Sequence, residues 1–167
     1  RDEIAALLGG DPERTVFGPG ATFWLNTVLS SYLWHGTRAV VSALEHNAVM
    51  RPLRWYETHR GVQVAVVEGS GPFGVPTADE VAAVVAEKQT TLVVLSHASN
   101  VTGSVLPVEE IIEAVAPVPV VVDAAQTAGS LPIDFTTLGV PKKPEPPAMI
   151  ADSRRVAAHV TYCLAHR

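Results

Sequence analysis

Short uncharged runs rich in valine alternate with amphipathic segments along most of this 167-residue chain. Apolar runs of this kind indicate strands, and we predict them over residues 15–17, 39–44, 62–67, 92–95 and 118–122. Strands that are apolar on both faces and separated by helices are typical of a parallel sheet covered on both sides. The sequence therefore predicts an α/β fold of three layers around a mainly parallel sheet.

Helical spacing of apolar residues fills the intervals between these strands. We predict helices over residues 2–8, 21–34, 52–58 and 107–115, and a further helix that begins at Thr77. Thr77 and Glu80 have the spacing of a capping box, and Pro52 suits the first turn of its helix. The length of the chain fits one domain or part of a larger one.

The alternation of strands and helices stops near Pro141. Four prolines and two lysines occur within residues 141–147, and residues 152–167 offer at best one isolated amphipathic helix, with Val156, Val160 and Leu164 on one face. We therefore divide the chain into a domain over residues 1–140 and a divergent proline-rich tail over residues 141–167.

Composition excludes several classes of function. The 12 basic and 17 acidic residues give a net charge of -5 without a basic block, so we expect no nucleic-acid partner. Polar residues and glycines interrupt the uncharged stretch 15–37, and we expect no membrane span. The single cysteine, Cys163, excludes an internal disulfide framework and favours a reducing compartment, so we expect a cytoplasmic protein.

Polar segments follow four of the predicted strands, at residues 20–22, 45–47, 97–100 and 123–126. In an open parallel sheet, ligands bind beyond the carboxyl ends of the strands. We therefore expect these segments to converge on one cleft at that edge of the sheet.

Each segment also has a purely structural interpretation. Residues 20–22 form a turn into a helix, where free N–H groups suit a phosphate but where a plain connection is also common. Asp123 needs a cation or hydrogen-bond donors, which a helix cap or an ion pair could supply. His46 could be an ordinary surface or core histidine, and Asn100 a turn residue that bonds its own backbone. The six histidines lack regular ligand spacing, so we expect no metal site.

Taken together and in this order, the segments resemble the class V aminotransferase family of pyridoxal phosphate enzymes, most of all the cysteine desulfurase and selenocysteine lyase group. The resemblance covers about residues 1–140 and implies part of the large domain of a fold-type I enzyme. It rests on Gly20-Ala21-Thr22 with Asn26, on residues 42–47, on residues 96–103 with 107–111, and on residues 122–126 with Gly129 and residues 131–134.

The resemblance also implies a cofactor, pyridoxal 5'-phosphate, and a role for each candidate residue. The start of the helix at residue 21 would hold the phosphate, and Asp123 would pair with the ring nitrogen and keep it protonated. His46 would stack on the ring and move protons at the substrate, which makes it the candidate catalytic residue. Asn100 and Gln126 would bond the ring hydroxyl side. The implied cofactor-binding residues are Gly20, Ala21, Thr22, His46, Asn100, Asp123 and Gln126.

The family places a lysine that forms a Schiff base with the cofactor beyond residue 140, within a Gly-His-Lys segment that is absent from this chain. None of the three lysines, Lys88, Lys142 and Lys143, lies at that position. Residues 141–167 match neither the family's later small domain nor its cysteine loop, so we expect that Cys163 does not inherit the sulfur-carrying role. The sequence thus predicts an inactive fragment as written.

The implied parent activity is removal of sulfur or selenium from cysteine or selenocysteine. Its implied partners are a small amino-acid substrate, a second subunit in a homodimer, and a sulfur-acceptor protein. Two alternatives stay open: another class V aminotransferase, epimerase or lyase, and a non-catalytic remnant that serves as an interaction module.

Overall fold

The computed structural model describes residues 1–134 and the backbone of residues 159–161. The helices are α1 (Asp2–Leu7), α2 (Ala21–Tyr32), α3 (Asn47–Arg60), α4 (Ala78–Glu87) and α5 (Val108–Val115). The strands are β1 (Arg38–Ser42), β2 (Gln63–Val67), β3 (Leu92–Ser96), β4 (Val120–Asp123) and β5 (His159–Thr161). Within these residues, no helix combines the length and the apolar character that crossing a bilayer requires.

The five strands form one sheet in the order β2-β1-β3-β4-β5, and every neighbouring pair is parallel. Val41 of β1 lies opposite Val66 of β2 and Val94 of β3. Ser96 and Asp123, the last residues of β3 and β4, lie opposite each other. The predicted parallel sheet is therefore confirmed, and its carboxyl ends share one edge.

Helices cover both faces of this sheet, which confirms the three layers. Apolar side chains of α1, α4 and α5 pack with Val40 and Val93 on one face. Those of α2 and α3 pack with Ala39 and Val41 on the other face. Because successive strand residues point to opposite faces, the valine runs serve both cores at once.

The predicted strand at residues 15–17 is wrong. Thr15 donates from its backbone N–H to Pro12 O (3.2 Å) and from Oγ1 to Asp11 O (3.0 Å), so its polar groups bond to the preceding 3₁₀ turn and not to a sheet. Val16 and Phe17 are exposed, and these two apolar side chains add nothing to either core. Residues 20–22 therefore follow an irregular segment and not a strand.

Helix α3 begins five residues earlier than the predicted start near Pro52. His46 caps it, because its Nδ1 accepts a hydrogen bond from Ala48 N at 3.0 Å. Pro52 consequently lies in the second turn and not in the first. The helix ends at Gly61 in the left-handed conformation (φ 62°), which glycine adopts without strain.

The predicted capping box at the start of α4 is confirmed. Thr77 Oγ1 accepts from Glu80 N (3.3 Å), and Glu80 Oε2 accepts from Thr77 N (2.8 Å). The predicted helix within residues 152–167 is wrong at Val160, which lies in β5 beside β4. The remainder of that prediction, and the rest of the predicted tail over residues 141–167, lie outside the described residues.

The amino edge of the sheet is closed by Arg38, the first residue of β1, which is 5% exposed. Its Nη1 donates to the carbonyl oxygens of Val84 (2.9 Å) and Lys88 (3.2 Å) at the end of α4, and to Thr90 Oγ1 (3.0 Å). Carbonyl groups in the last turn of a helix have no partner within the helix. Arg38 therefore satisfies the end of α4 while it anchors that helix to β1.

We expect Arg38→Met to lower the free energy of unfolding by about 2 to 3 kcal/mol, because buried carbonyl groups would lose their donor. The exposed Arg54, which pairs with Glu57 at 2.8 Å, offers the matched control. Arg54→Met should cost less than about 1 kcal/mol. Urea denaturation measures both, and equal losses in the two variants would contradict the assigned role of Arg38.

Candidate functional site

A cavity of about 100 Å³ lies at the carboxyl edge of the sheet, beyond β1, β3 and β4. Its walls come from the start of α2, the cap of α3 and the loops that follow β3 and β4. The lining residues are Ala21, Thr22, His46, Ala48, Ser96, Ala98, Asn100, Asp123, Ala125 and Gln126. Six of the seven residues proposed from the sequence therefore line one cavity.

The seventh residue, Gly20, lines a larger open groove of about 1010 Å³ along the outer face of α2. This groove shares Ala21, Thr22, Ala125 and Gln126 with the small cavity, so the two are adjacent. The expected convergence of the four segments on one cleft is what the structure shows. The chemical role of each residue stays a prediction.

Asp123 is the buried carboxylic acid of the cavity, with 7% of the residue exposed. Its Oδ1 accepts a hydrogen bond from Ala125 N at 3.0 Å. Desolvation raises the pKa of Asp123 above its ordinary value, and this hydrogen bond and the nearby His46 offset only part of the rise. A carboxylate held in this way gains stability from any cationic or donor group that enters the cavity.

The start of α2 lines the same cavity as Asp123. Gly20 precedes the helix and offers no side chain to cap it. The first N–H groups of a helix lack partners within the helix, and together with the helix dipole they favour an anion. Gly18, which precedes α2, lies against Trp24 of that helix, where a Cβ would collide with the indole.

His46 has two functions in the structure. Its Nδ1 accepts from Ala48 N, so the neutral ring carries its proton on Nε2. The side chain also lines the cavity, and in its protonated form its positive charge lowers the pKa of Asp123. His46 is therefore more than an ordinary surface histidine, because its ring both caps α3 and lines the cavity.

Asn100 and Gln126 are exposed residues on the two loops that close the cavity. The turn at Asn100 is held by Ser99, whose Oγ accepts from Val101 N and Thr102 N, both at 3.3 Å. The expected structural role in that turn thus belongs to Ser99. Asn100 keeps its amide for other partners.

His97 belongs to a different cavity, of about 140 Å³, which lies between the loop after β3 and residues 132–134. Its Nδ1 is 2.9 Å from Thr127 Oγ1, which ties the loops after β3 and β4 together. Burial lowers the pKa of His97. In residues 1–134, no three His, Cys, Asp or Glu side chains come together as metal ligands.

Sequence reasoning gave no role to Glu45 or Ser96, although both lie in segments that it singled out. Glu45 Oε1 accepts from Ser42 Oγ (2.5 Å) and Ser96 N (2.9 Å), and Oε2 accepts from Ser96 Oγ (2.9 Å). A glutamate shortly after a buried strand was a visible signal, but Ser96, one of the two serines that it contacts, is 51 residues away in the chain. The contact exists because β1 and β3 are neighbours in the sheet.

Glu45 should make the stability of the protein depend on pH. Desolvation of its carboxylate raises its pKa from 4.5 to about 7, against the opposing hydrogen bonds from Ser42 and Ser96. The folded state thus holds this proton more tightly than the unfolded state does. Its contribution to stability is present at low pH and is lost as the pH rises from about 4.5 to about 7.

As the pH rises from 5 to 8, the free energy of unfolding of Glu45→Gln should therefore increase by about 2 to 3 kcal/mol relative to that of wild type. Asp123 contributes a slope of the same sign in both proteins, and its charge is the smallest cause of the raised pKa of Glu45, so most of the difference comes from desolvation of Glu45. Denaturant titrations across this pH range measure it. The control is a variant of the exposed Glu113, Glu113→Gln, whose free energy of unfolding should change with pH as that of wild type does. If the curve of Glu45→Gln also follows wild type, the expectation is wrong.

A second prediction tests whether His46 caps α3. His46→Ala removes the cap of α3 and should cost about 1 kcal/mol of unfolding free energy, whereas His46→Asn keeps a capping side chain and should cost much less. Urea denaturation of the chain without ligand measures both variants. Equal destabilisation would show that the Nδ1 contact does not cap the helix.

A buried parallel sheet with polar loops converging on one edge defines an α/β ligand-binding domain. The sequence profile of the aminotransferase class-V family matches residues 1–141, and the chain belongs to that family. A probable cysteine desulfurase of Aeropyrum pernix is 34% identical over 145 residues, which are 82% of this chain and 34% of that protein.

Solved structures give the same result. The fold is similar to the apo cysteine desulfurase from Thermococcus onnurineus NA1, with a TM-score of 0.73 and 27% identity over 81% of this chain and 35% of that one. It is also similar to a C-DES variant with glycine covalently linked to its PLP cofactor, with a TM-score of 0.69 and 30% identity over 82% and 37%. The chain thus spans little more than a third of these relatives.

Proposed function

We propose that this chain forms the cofactor-binding part of a pyridoxal 5'-phosphate enzyme that removes sulfur or selenium from cysteine or selenocysteine. The observation that carries the proposal is the convergence of a desolvated carboxylate, Asp123, with His46 and the uncapped start of α2 in one cleft. Similarity to cysteine desulfurases and to a structure with a PLP-linked ligand supports the same reading.

The residues of the cleft fit this cofactor. Asp123 uses Oδ1 for Ala125 N and, as a carboxylate, has further acceptor capacity for the protonated ring nitrogen. The first N–H groups of α2, near Thr22, suit the phosphate. When bound, the cofactor draws electrons away from the α-carbon of an amino acid, which lets a bond to the substrate break.

His46 is suited to move a proton at the substrate. Since Nδ1 is engaged with Ala48 N, only Nε2 remains for exchange with a ligand in the cavity. This arrangement fixes which nitrogen acts and holds the ring at the start of α3. Asn100 and Gln126 contribute amide groups from the opposite loops.

The lysine needed for covalent attachment is not supplied by Lys88. Lys88 is exposed, and its carbonyl oxygen accepts from Arg38 at the amino edge of the sheet. The cleft lies at the carboxyl edge, so Lys88 and Asp123 are at opposite ends of the strands. Lys142 and Lys143 lie outside the described residues.

The first test is cofactor affinity. Asp123→Asn should weaken binding of pyridoxal 5'-phosphate at least tenfold, because the ring nitrogen would lose its ionic partner. Fluorescence titration of the full chain measures the dissociation constant, and the exposed Asp79→Asn serves as the matched control. Binding that is insensitive to Asp123→Asn would sink this proposal and favour a non-catalytic remnant.

The second test is covalent capture. After incubation with the cofactor and reduction with borohydride, peptide mapping should find no stoichiometric label on Lys88, and the chain as written should release no appreciable sulfide from cysteine. Specific labelling of Lys142 or Lys143 together with sulfide release would contradict this expectation. Transamination without sulfide release would favour another class V activity.

We further propose that the parent enzyme is cytoplasmic and homodimeric, and that it passes sulfur to an acceptor protein. The open groove along α2 and the exposed Phe23 that lines it support a subunit contact on this face. Sedimentation should show self-association. A well-folded monomer at high concentration would count against the dimer.

A further inference from the structure

The strand order reverses between β1 and β3. From β1 the chain passes through α3 on one face of the sheet to β2, whereas from β3 it passes through α5 on the other face to β4. The loops after β1 and β3 therefore diverge and leave a crevice, which is where open α/β sheets bind ligands. The pairing of β1 with β3 ends at Val41 and Val94, so beyond these residues only other contacts can join the two strand ends.

Glu45 supplies that contact. It follows β1 by three residues, and its carboxylate accepts from Ser42 Oγ at the end of β1 and from both the N–H and the Oγ of Ser96 at the end of β3. Ser42 Oγ also accepts from Leu44 N at 3.2 Å, which holds the turn that carries Glu45. The link thus joins the two strands across the point where their order reverses.

Both ends of this link continue directly into the cleft. His46 is the next residue after Glu45, and Ser96 lies opposite Asp123 in the register of β3 and β4. We propose that Glu45 is a positioning residue that sets the location of His46 relative to Asp123. This inference rests on the proposed function of the cleft, but the geometry of the link can be tested without cofactor.

The shape of the carboxylate suits this task. Two oxygens on one planar group accept three hydrogen bonds from two strands, and a glutamine could keep the same span because serine hydroxyls both donate and accept. The carboxylate is desolvated although the residue as a whole is only partly buried. An alanine there would leave Ser96 N without its acceptor and the crevice without its link.

The experiment uses the full chain as wild type, Glu45→Ala, Glu45→Gln and Ser96→Ala, with the exposed Glu113→Ala as control. The first readout needs no cofactor: ¹⁵N NMR of the histidine rings reports whether His46 Nδ1 stays an acceptor. The second readout is the dissociation constant of pyridoxamine 5'-phosphate, whose amine cannot form a bond with lysine.

In Glu45→Ala we expect the Nδ1 acceptor signal of His46 to be lost and the dissociation constant to rise at least tenfold. Glu45→Gln should restore both readouts to within about threefold of wild type, Ser96→Ala should fall between them, and Glu113→Ala should match wild type. If Glu45→Ala does not fold, the comparison of Ser96→Ala with Glu45→Gln decides.

Loss of stability without a change in either readout, or a Glu45→Gln variant as impaired as Glu45→Ala, would overturn the positioning role. If wild type fails to bind pyridoxamine 5'-phosphate, the proposed function falls. In that case the NMR readout still decides the role of Glu45: an unchanged His46 signal in Glu45→Ala overturns it, and a lost signal supports it.

Discussion

Burial of both faces of the sheet is the constraint on which the structure depends. Val40 and Val41 face different layers and are both inaccessible to solvent, as are Val93 and Val94. A strand of this kind has no room for polar side chains along its length, because each would need a buried partner. Polar chemistry is therefore confined to the strand ends.

The two edges of the sheet use this confinement differently. At the amino edge, the Arg38 guanidinium donates to the carbonyl groups that end α4, and its hydrogen bonds are internal to the fold. At the carboxyl edge, Glu45 and Asp123 are both desolvated, which raises the pKa of each, and the nearby Asp123 raises the pKa of Glu45 further. Glu45 is satisfied by serines within the fold, whereas Asp123 retains capacity for a ligand. One edge thus stabilises the domain and the other receives the ligand.

The sequence was sufficient for features that depend on local pattern. The valine runs predicted β1, β2, β3 and β4, and the spacing of Thr77 and Glu80 predicted the capping box. Prediction from the sequence failed where the structure depends on an unusual local contact or on a contact between distant parts of the chain. Residues 15–17 look like a strand, but Thr15 bonds to the preceding turn, and α3 starts early because a histidine caps it. The Glu45 to Ser96 link requires knowing that β1 and β3 are adjacent, which no local pattern encodes.

The cavity draws its walls from segments that are far apart in the chain, from Ala21 to Gln126. No short stretch of the sequence contains the whole binding surface, so a ligand can be held only when the α2, α3, β3 and β4 regions are folded together. Occupancy is then thermodynamically linked to folding of the entire unit. A ligand present at 100 times its dissociation constant would add about 2.7 kcal/mol to the free energy of unfolding.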